Sequence, residues 1–299
     1  MNSAWVIFVL LAAIIASAAS IVEKKTLRKQ HAMEFSAILA IFAALITFPL
    51  WFIADINALS LTAIYFIYGA AFCSSIAFVF VAKALRHIAI SVTSPFLVFG
   101  PLFTAIIAAI VLGERLTFVQ GLGIAVLIIG AYTLESHGHQ NLLEPLKHIF
   151  KSKYIRYIFI ALLLYGVSAV LDKKILGTPA DGGLGIPVLT YMPLVHFFLA
   201  INLIVMMLLF HDGFTGIGKG IKQNWKWVFV VAVLTVGYRL SQQYAVSLPG
   251  VLISLVIPIK RLSALFSTII GGGLFHEENI LRKSLACVVM IIGAVLIIL

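Results

Sequence analysis

Long apolar stretches separated by short polar ones run the whole length of the chain. Ten stretches stand out: 3–22, 35–54, 60–82, 91–112, 117–134, 156–172, 187–210, 227–246, 251–273 and 282–299. A helix needs about 20 apolar residues to cross the hydrocarbon core of a bilayer. These segments meet that length, and the loops between them leave no room for a soluble domain. Within lipid the backbone must satisfy its own hydrogen bonds, which leaves helices or a closed barrel. Barrel strands span with only about 9–11 residues and alternate in polarity, unlike these segments. The pattern predicts an all-α integral membrane protein with ten transmembrane helices.

The pattern also repeats. A shift of 163 residues lays Ser91 on Ser254, Pro95 on Pro258 and Glu114 on Glu277, and aligns Ile128-Ile129-Gly130-Ala131 with Ile291-Ile292-Gly293-Ala294. A shift of 149 lays Glu23-Lys24-Lys25 on Asp172-Lys173-Lys174. The chain therefore divides into a first five-helix repeat, 1–134, a basic linker loop, 135–155, and a second five-helix repeat, 156–299. Five is odd, so the second repeat enters the membrane inverted. Inverted repeats place a binding site near the midplane and support alternating access. Pro95 and Pro258 lack the N–H that would bond the carbonyls of Ser91 and Ser254, so each predicts a kink in an equivalent helix. The kinks serve either as hinges or only to shape packing.

Composition agrees with a lipid environment. The 299 residues are 62% hydrophobic and 11% charged, with a mean hydropathy of +1.13. The net charge of +10 does not mark a nucleic-acid binder, because the basic residues are spread over interhelical loops. Fifteen of the 21 Lys and Arg follow odd-numbered spans, and only Arg115, Lys173 and Lys174 lie on the opposite side. Positive loops stay in the cytoplasm, so both termini are expected outside a cell membrane of the prokaryotic inner or plasma type. The first span is a helix rather than a cleaved signal, since no basic residue precedes it and it has a counterpart later in the chain. Cys73 and Cys287 lie in spans and read as small buried hydrophobes, not as a disulfide or a metal site.

Three cations break the apolar pattern. Lys260 and Arg261 sit inside 251–273, and Arg239 sits inside 227–246. A charge at that depth is costly and marks a functional site by default. The repeat mates of the three are Leu97, Val98 and Ile76, all apolar, so the fold itself does not require charge there. Lys260 lies nine residues from one end of its span and thirteen from the other, too deep for easy snorkelling. Tyr238 and Gln242 flank Arg239 at helical spacing and join the candidate binding set, while Ser241 reads as interhelical glue. His196 is either a relay or a hydrogen-bonded packing residue. Tyr165, Ser168, Ser75 and Ser17 are candidates to complete a cavity lining.

The acids carry the complementary information. All eleven Asp and Glu are expected at or beyond span ends, Glu114 and Glu277 among them at hairpin turns, where a helix-start charge is the plain reading. No buried acid is then left to neutralise the three cations. His137-Gly138-His139 has metal-like spacing but falls in a solvated loop, so no metal site, cofactor or catalytic group is expected. Without a phosphate-binding loop or an ATPase domain, transport would be secondary.

Several motifs resemble the EamA-type ten-helix members of the drug/metabolite transporter superfamily. They are Ala82-Lys83-Ala84-Leu85, the run from Ser94-Pro95 to Pro101-Leu102-Phe103, Gly113-Glu114-Arg115-Leu116 and the two Ile-Ile-Gly-Ala closures. The resemblance implies a ten-helix transporter without enzymatic activity. Tyr238 with Lys260-Arg261 is similar to the tyrosine and Lys-Arg pair with which the superfamily's sugar-phosphate translocators bind phosphate. The family's usual arrangement puts both termini in the cytoplasm, against the loop charges. The expected function is secondary transport of a small organic anion, phosphorylated ones included, with the lipid bilayer as the other partner. The alternatives are export of amino acids or related zwitterions, and a non-transporting scaffold or lipid-handling subunit. The sequence leaves the oligomeric state open.

Overall fold

The computed structural model describes residues 4–27, 30–87, 96–135, 153–267 and 280–299. Pro95, Glu277 and the His137-Gly138-His139 motif lie outside them. Among the described residues every regular element is helical. The ten α-helices are α1 Ala4–Leu27, α2 Ala32–Thr47, α3 Leu61–His87, α4 Gly100–Val111, α5 Phe118–Glu135, α6 Lys153–Leu176, α7 Val188–Phe210, α8 Gly213–Ser247, α9 Ile253–Lys260 and α10 Ile280–Ile298. Each corresponds to one predicted span. Among the described residues, five apolar helical segments are long enough to cross a bilayer: Ala4–Leu27, Ala32–Phe52, Leu61–Val81, Lys153–Leu176 and Val188–Phe210.

Helix ends differ from the apolar segments in instructive ways. Helices α1 and α6 run on to Leu27 and Leu176, past the charges that were expected to close their spans. Glu23, Asp172 and Lys173 therefore lie inside helices. Helix α8 is 35 residues because two helices meet at Asn224, whose φ of −144° is not helical. Helix α9 is only eight residues although its apolar segment is longer. The chain turns at Arg261 and resumes as helix over 262–267. Helix 96–97 likewise turns at Val98 and Phe99 before α4 begins. The interruption thus falls at Arg261, three residues beyond Pro258, which remains inside α9.

The chain forms two compact units. Unit 1 comprises Met1–Ser75 and Leu171–Val251, and unit 2 comprises Ile76–Val170 and Leu252–Leu299. Each takes a segment from each half of the sequence, and the boundaries fall within α3, within α6 and between α8 and α9.

In unit 1, α1 and α2 pack against α8, and α2 also packs against α7. The core joins Phe35, Ala37 and Ile38 of α2 to Met207 of α7 and to Ile217, Val228 and Val231 of α8. Position 220 is glycine because a Cβ there would stand 2.6 Å from the Ile38 side chain and closer still to Gln30.

In unit 2 the principal pair is α5 with α10, and α4 packs on α9. Small residues bring α5 and α10 close enough for backbone contact. A Cβ on Gly293 would stand 2.5 Å from the Leu127 nitrogen and 2.8 Å from the Gly123 carbonyl oxygen. With no hydrophobic drive between helices in lipid, such packing is a main source of association. A second cluster gathers Phe96, Ala84, Ile155, Ile158 and Leu162.

Candidate functional site

Helix α8 carries Tyr238, Arg239, Gln242 and Gln243 within two turns. Residues 239, 242 and 243 share a face at spacings of three and four. Tyr238 and Arg239 are half-buried, whereas Gln242 and Gln243 are buried. The Arg239 guanidinium lies in electrostatic reach of the Tyr191 hydroxyl of α7 and of Asp172 of α6. Tyr191 in turn donates to Asp172 Oδ1 at 2.5 Å. Gln243 Nε2 donates to Asp172 Oδ2 at 2.9 Å. Asp172 is 4% exposed, so a buried carboxylate organises this part of unit 1.

This overturns the expectation that no buried acid faces the membrane cations. The apolar segment ends at 172, but α6 continues for another turn and draws Asp172 into the interior. The equivalent acid of the first half, Glu23, is inside α1 and within electrostatic reach of Tyr238. Asp172, Tyr191 and Gln243 are thus members of the polar cluster that the sequence reading missed. Alignment of Asp172 with Glu23 was the available signal, since it marked the acid as part of a helix rather than of a loop.

His196 is 2% exposed. Its Nδ1 lies 2.8 Å from the Met192 carbonyl and donates to it. Its Nε2 has no partner among the described residues; the same is true of Gln242 Oε1, Gln243 Oε1 and Arg239 Nε. The hydrogen bond to Asp172 fixes the orientation of the Gln243 amide and leaves its oxygen as an acceptor. The cluster therefore combines a balanced charge pair with buried acceptors. Ser17 is buried in α1 and its hydroxyl has no partner, whereas Ser75 in α3 donates to the Ala71 carbonyl at 2.8 Å, as helix glue does.

Next to this cluster a second set of contacts holds the end of α6. Lys173 is buried; its Nζ donates to the Val246 carbonyl at 3.1 Å and lies 3.8 Å from Asp181 Oδ2. Asp181 Oδ2 also accepts from the Gly250 N–H at 3.0 Å and from Thr178 Oγ1 at 2.9 Å. The Gly250 N–H, with Thr178 and Lys173 adding to it, holds the Asp181 carboxyl below the usual carboxylate range. The loop after α6 is thereby fixed to the turn after α8.

In unit 2, Lys260 ends α9 and Arg261 occupies the interruption; both are half-buried. A cation in the last turn suits the negative end of the helix dipole. Arg261 Nη2 donates to the Leu97 carbonyl at 2.7 Å. The start of α9 is held from a distance in sequence. Glu114 Oε1 accepts from the Ile253 N–H at 2.9 Å and Oε2 from the Ser254 N–H at 3.1 Å, with a further bond from the Ser254 hydroxyl. Glu114 is a helix-start charge as expected, but for α9 rather than for its own hairpin. Tyr165 is half-buried and Ser168 buried, both in the unit 2 part of α6. The five principal candidates thus fall into two groups, Tyr238, Arg239 and Gln242 in unit 1 and Lys260 and Arg261 in unit 2. Among the described residues no group of three or more His, Cys, Asp or Glu is arranged to hold a metal.

Residues 3–135 match the EamA-like transporter family. Among curated proteins no sequence matches significantly. A solved structure described as "Crystal structure of protein" superposes with a TM-score of 0.75, covering 99% of this chain and 96% of that one at 12% identity. That likeness concerns the fold alone, and it extends over nearly the whole chain.

Proposed function

We propose that the chain, whose residues 3–135 match the EamA-like transporter family, is a multi-pass membrane transporter and that its solute is a small organic anion, phosphorylated ones included. It is carried by alternating access as secondary transport across the cell membrane. The observation that carries this reading is the pair Lys260 and Arg261 at a helix interruption inside an apolar segment. Broken helices are where transporters keep solute sites, and ionisable groups in such segments mark solute paths. Lysine supplies a compact positive charge and arginine a planar fork, both suited to phosphate or carboxylate. A guanidinium has five N–H donors, so it serves a carbonyl and an anion together.

Tyr238, Arg239 and Gln242 take a different part in this reading. Asp172 balances Arg239, so their contribution is hydrogen bonding more than net charge. Lys260 then carries most of the preference for an anion. Pro258, next to the interruption, is proposed as a hinge element, with Pro95 as its repeat mate. The 163-residue repeat of Ser91, Pro95 and Glu114 in Ser254, Pro258 and Glu277 supports the inverted-repeat arrangement that alternating access needs.

Thermal-shift measurements on the purified protein against phosphorylated sugars, organic acids, amino acids and amines test the proposal. Losing one charge-assisted contact costs about 1.5–3 kcal/mol, so Lys260→Ala is expected to weaken anion binding roughly ten- to a hundredfold. Stabilisation by amines with no response to anions defeats the reading. Stabilisation by amino acids alone favours the second reading, export of a zwitterion. That reading draws on the balanced Asp172–Arg239 pair and the unpartnered acceptors Gln242 Oε1, Gln243 Oε1 and His196 Nε2, which suit an ammonium group.

A further inference from the structure

In a continuous helix the Leu97 carbonyl would accept from the N–H of residue 101. Residue 101 is proline, at the start of α4, and has no N–H to give. A carbonyl without a donor inside an apolar segment is costly, because no water reaches it. Arg261 supplies the missing donor, with Nη2 at 2.7 Å from the Leu97 oxygen. Residue 100, between the two, is glycine. A Cβ at that position would stand 3.0 Å from Arg261 Nη2, at the lower limit of real Cβ contacts. Pro101 removes a donor, Gly100 leaves room for a replacement, and Arg261 provides it from the far end of the sequence.

The two ends of this bond are equivalent places in the fold. Leu97 immediately precedes the interruption at Val98 and Phe99, and Arg261 is itself the interruption after α9. Backbone bonds of the shorter i→i−3 kind bracket both. Phe99 N donates to the Phe96 carbonyl at 3.1 Å, and Arg261 N donates to the Pro258 carbonyl at 2.9 Å. The interruption before α4 cannot heal into regular helix at this bond, because Pro101 has no N–H to give.

We infer that Arg261 is a positioning residue: through the Leu97 carbonyl it ties the interruption before α4 to the interruption after α9, so that the two broken helices of unit 2 hold one geometry. This role goes beyond the anion reading and applies whatever solute is carried. It also divides the work of the adjacent pair. Lys260 meets the solute alone, whereas Arg261 also holds the scaffold from which Lys260 projects. Lysine at 261 would be a poor substitute, because a flexible ammonium does not present a fixed planar donor.

The rescue experiment follows from the chemistry of proline. Hydrogen exchange of the 96–103 segment is measured by mass spectrometry on the full chain in lipid nanodiscs, for wild type, Arg261→Ala, Pro101→Ala and the double variant. Arg261→Ala is expected to raise exchange in this segment at least tenfold. Pro101→Ala returns an N–H to the helix, so the double variant is expected to exchange as slowly as Pro101→Ala alone. Should Arg261→Ala fail to fold, Arg261→Met takes its place: it keeps the length of the side chain without the donor, and Pro101→Ala should suppress its effect too. Unchanged exchange in the single variant, or additive effects in the double, overturns the inference. A thermal shift with inorganic phosphate adds the functional arm. If phosphate stabilises the wild type, Pro101→Ala should restore part of that response to Arg261→Ala. A response lost in Arg261→Ala and not restored at all makes Arg261 a ligand contact alone and overturns the positioning role. If phosphate has no effect on the wild type, the anion reading fails for phosphate, and the exchange measurement still decides this one.

Discussion

Asp172 shows what a single residue contributes in this environment. It accepts from Tyr191 and from Gln243, and it faces Arg239, all within unit 1. Asp172 is buried with two hydrogen bonds and offsets a nearby guanidinium, and losing a buried charge of this kind costs about 3–5 kcal/mol. Replacing both partners by apolar groups is far milder. Asp172→Ala is therefore expected to lower the melting temperature of the detergent-solubilised protein sharply, and Asp172→Ala with Arg239→Met is expected to recover much of the loss. Equal losses in the single and double variants would show that the carboxylate and the guanidinium are not energetically coupled. The arginine was legible from sequence, because a charge deep in an apolar run cannot be overlooked. Its counter-ion was not, since Asp172 sits where the apolar run ends, and only the extra turn of α6 places it indoors.

At the scale of elements, helix ends and helix contacts follow different rules. Helix α9 has no side-chain cap of its own at Leu252. Glu114 supplies the acceptors from 139 residues away, with the carboxylate placed at the positive end of the helix. No local capping signal in the sequence could have indicated this. The contact between α5 and α10 was more legible, through the repeated Ile-Ile-Gly-Ala. Its glycines permit a backbone approach that a methyl group would block. Gly293→Ala would place a carbon 2.5 Å from the Leu127 nitrogen, and backbone cannot yield as a flexible side chain does. Overpacking of this kind costs about 1–3 kcal/mol. The variant should melt several degrees lower, whereas Gly121→Ala, whose Cβ would meet nothing within 4 Å, should melt like the wild type. Similar melting temperatures for the two variants would contradict the close-contact reading of α5 and α10.

For the whole molecule, loop charge is the quantity with the largest consequence. Fifteen of 21 basic residues follow odd-numbered spans, and cytoplasmic loops retain Lys and Arg. A reporter active only in the cytoplasm, fused after Leu299, should therefore give little signal, and one placed in the 135–155 loop should give a strong signal. The opposite pattern would mean that the family's usual orientation prevails over the charge bias. The two compact units add a feature that the repeats alone do not suggest. Each unit is assembled from parts of both halves of the sequence. Such mixing depends on contacts between helices far apart in the chain, such as α1 with α8 and α5 with α10.

The division between what was readable and what was not has a physical basis. Apolar length fixes the existence and number of membrane helices, because the thickness of the bilayer is constant and the backbone has no other way to cross it. The order of the helices and the positions of the three costly cations are legible for the same reason, as each is a property of one segment. Partners are properties of pairs of segments. Whether Arg239 meets an acid, whether Glu114 caps its own helix or another, and whether Arg261 meets a backbone carbonyl all depend on which helices touch. Periodicity in an apolar run indicates little about that, since every face of such a helix is hydrophobic. Only the tertiary structure put Asp172 beside Tyr191 and Gln243, and brought Arg261 to the one carbonyl that Pro101 had left without a donor.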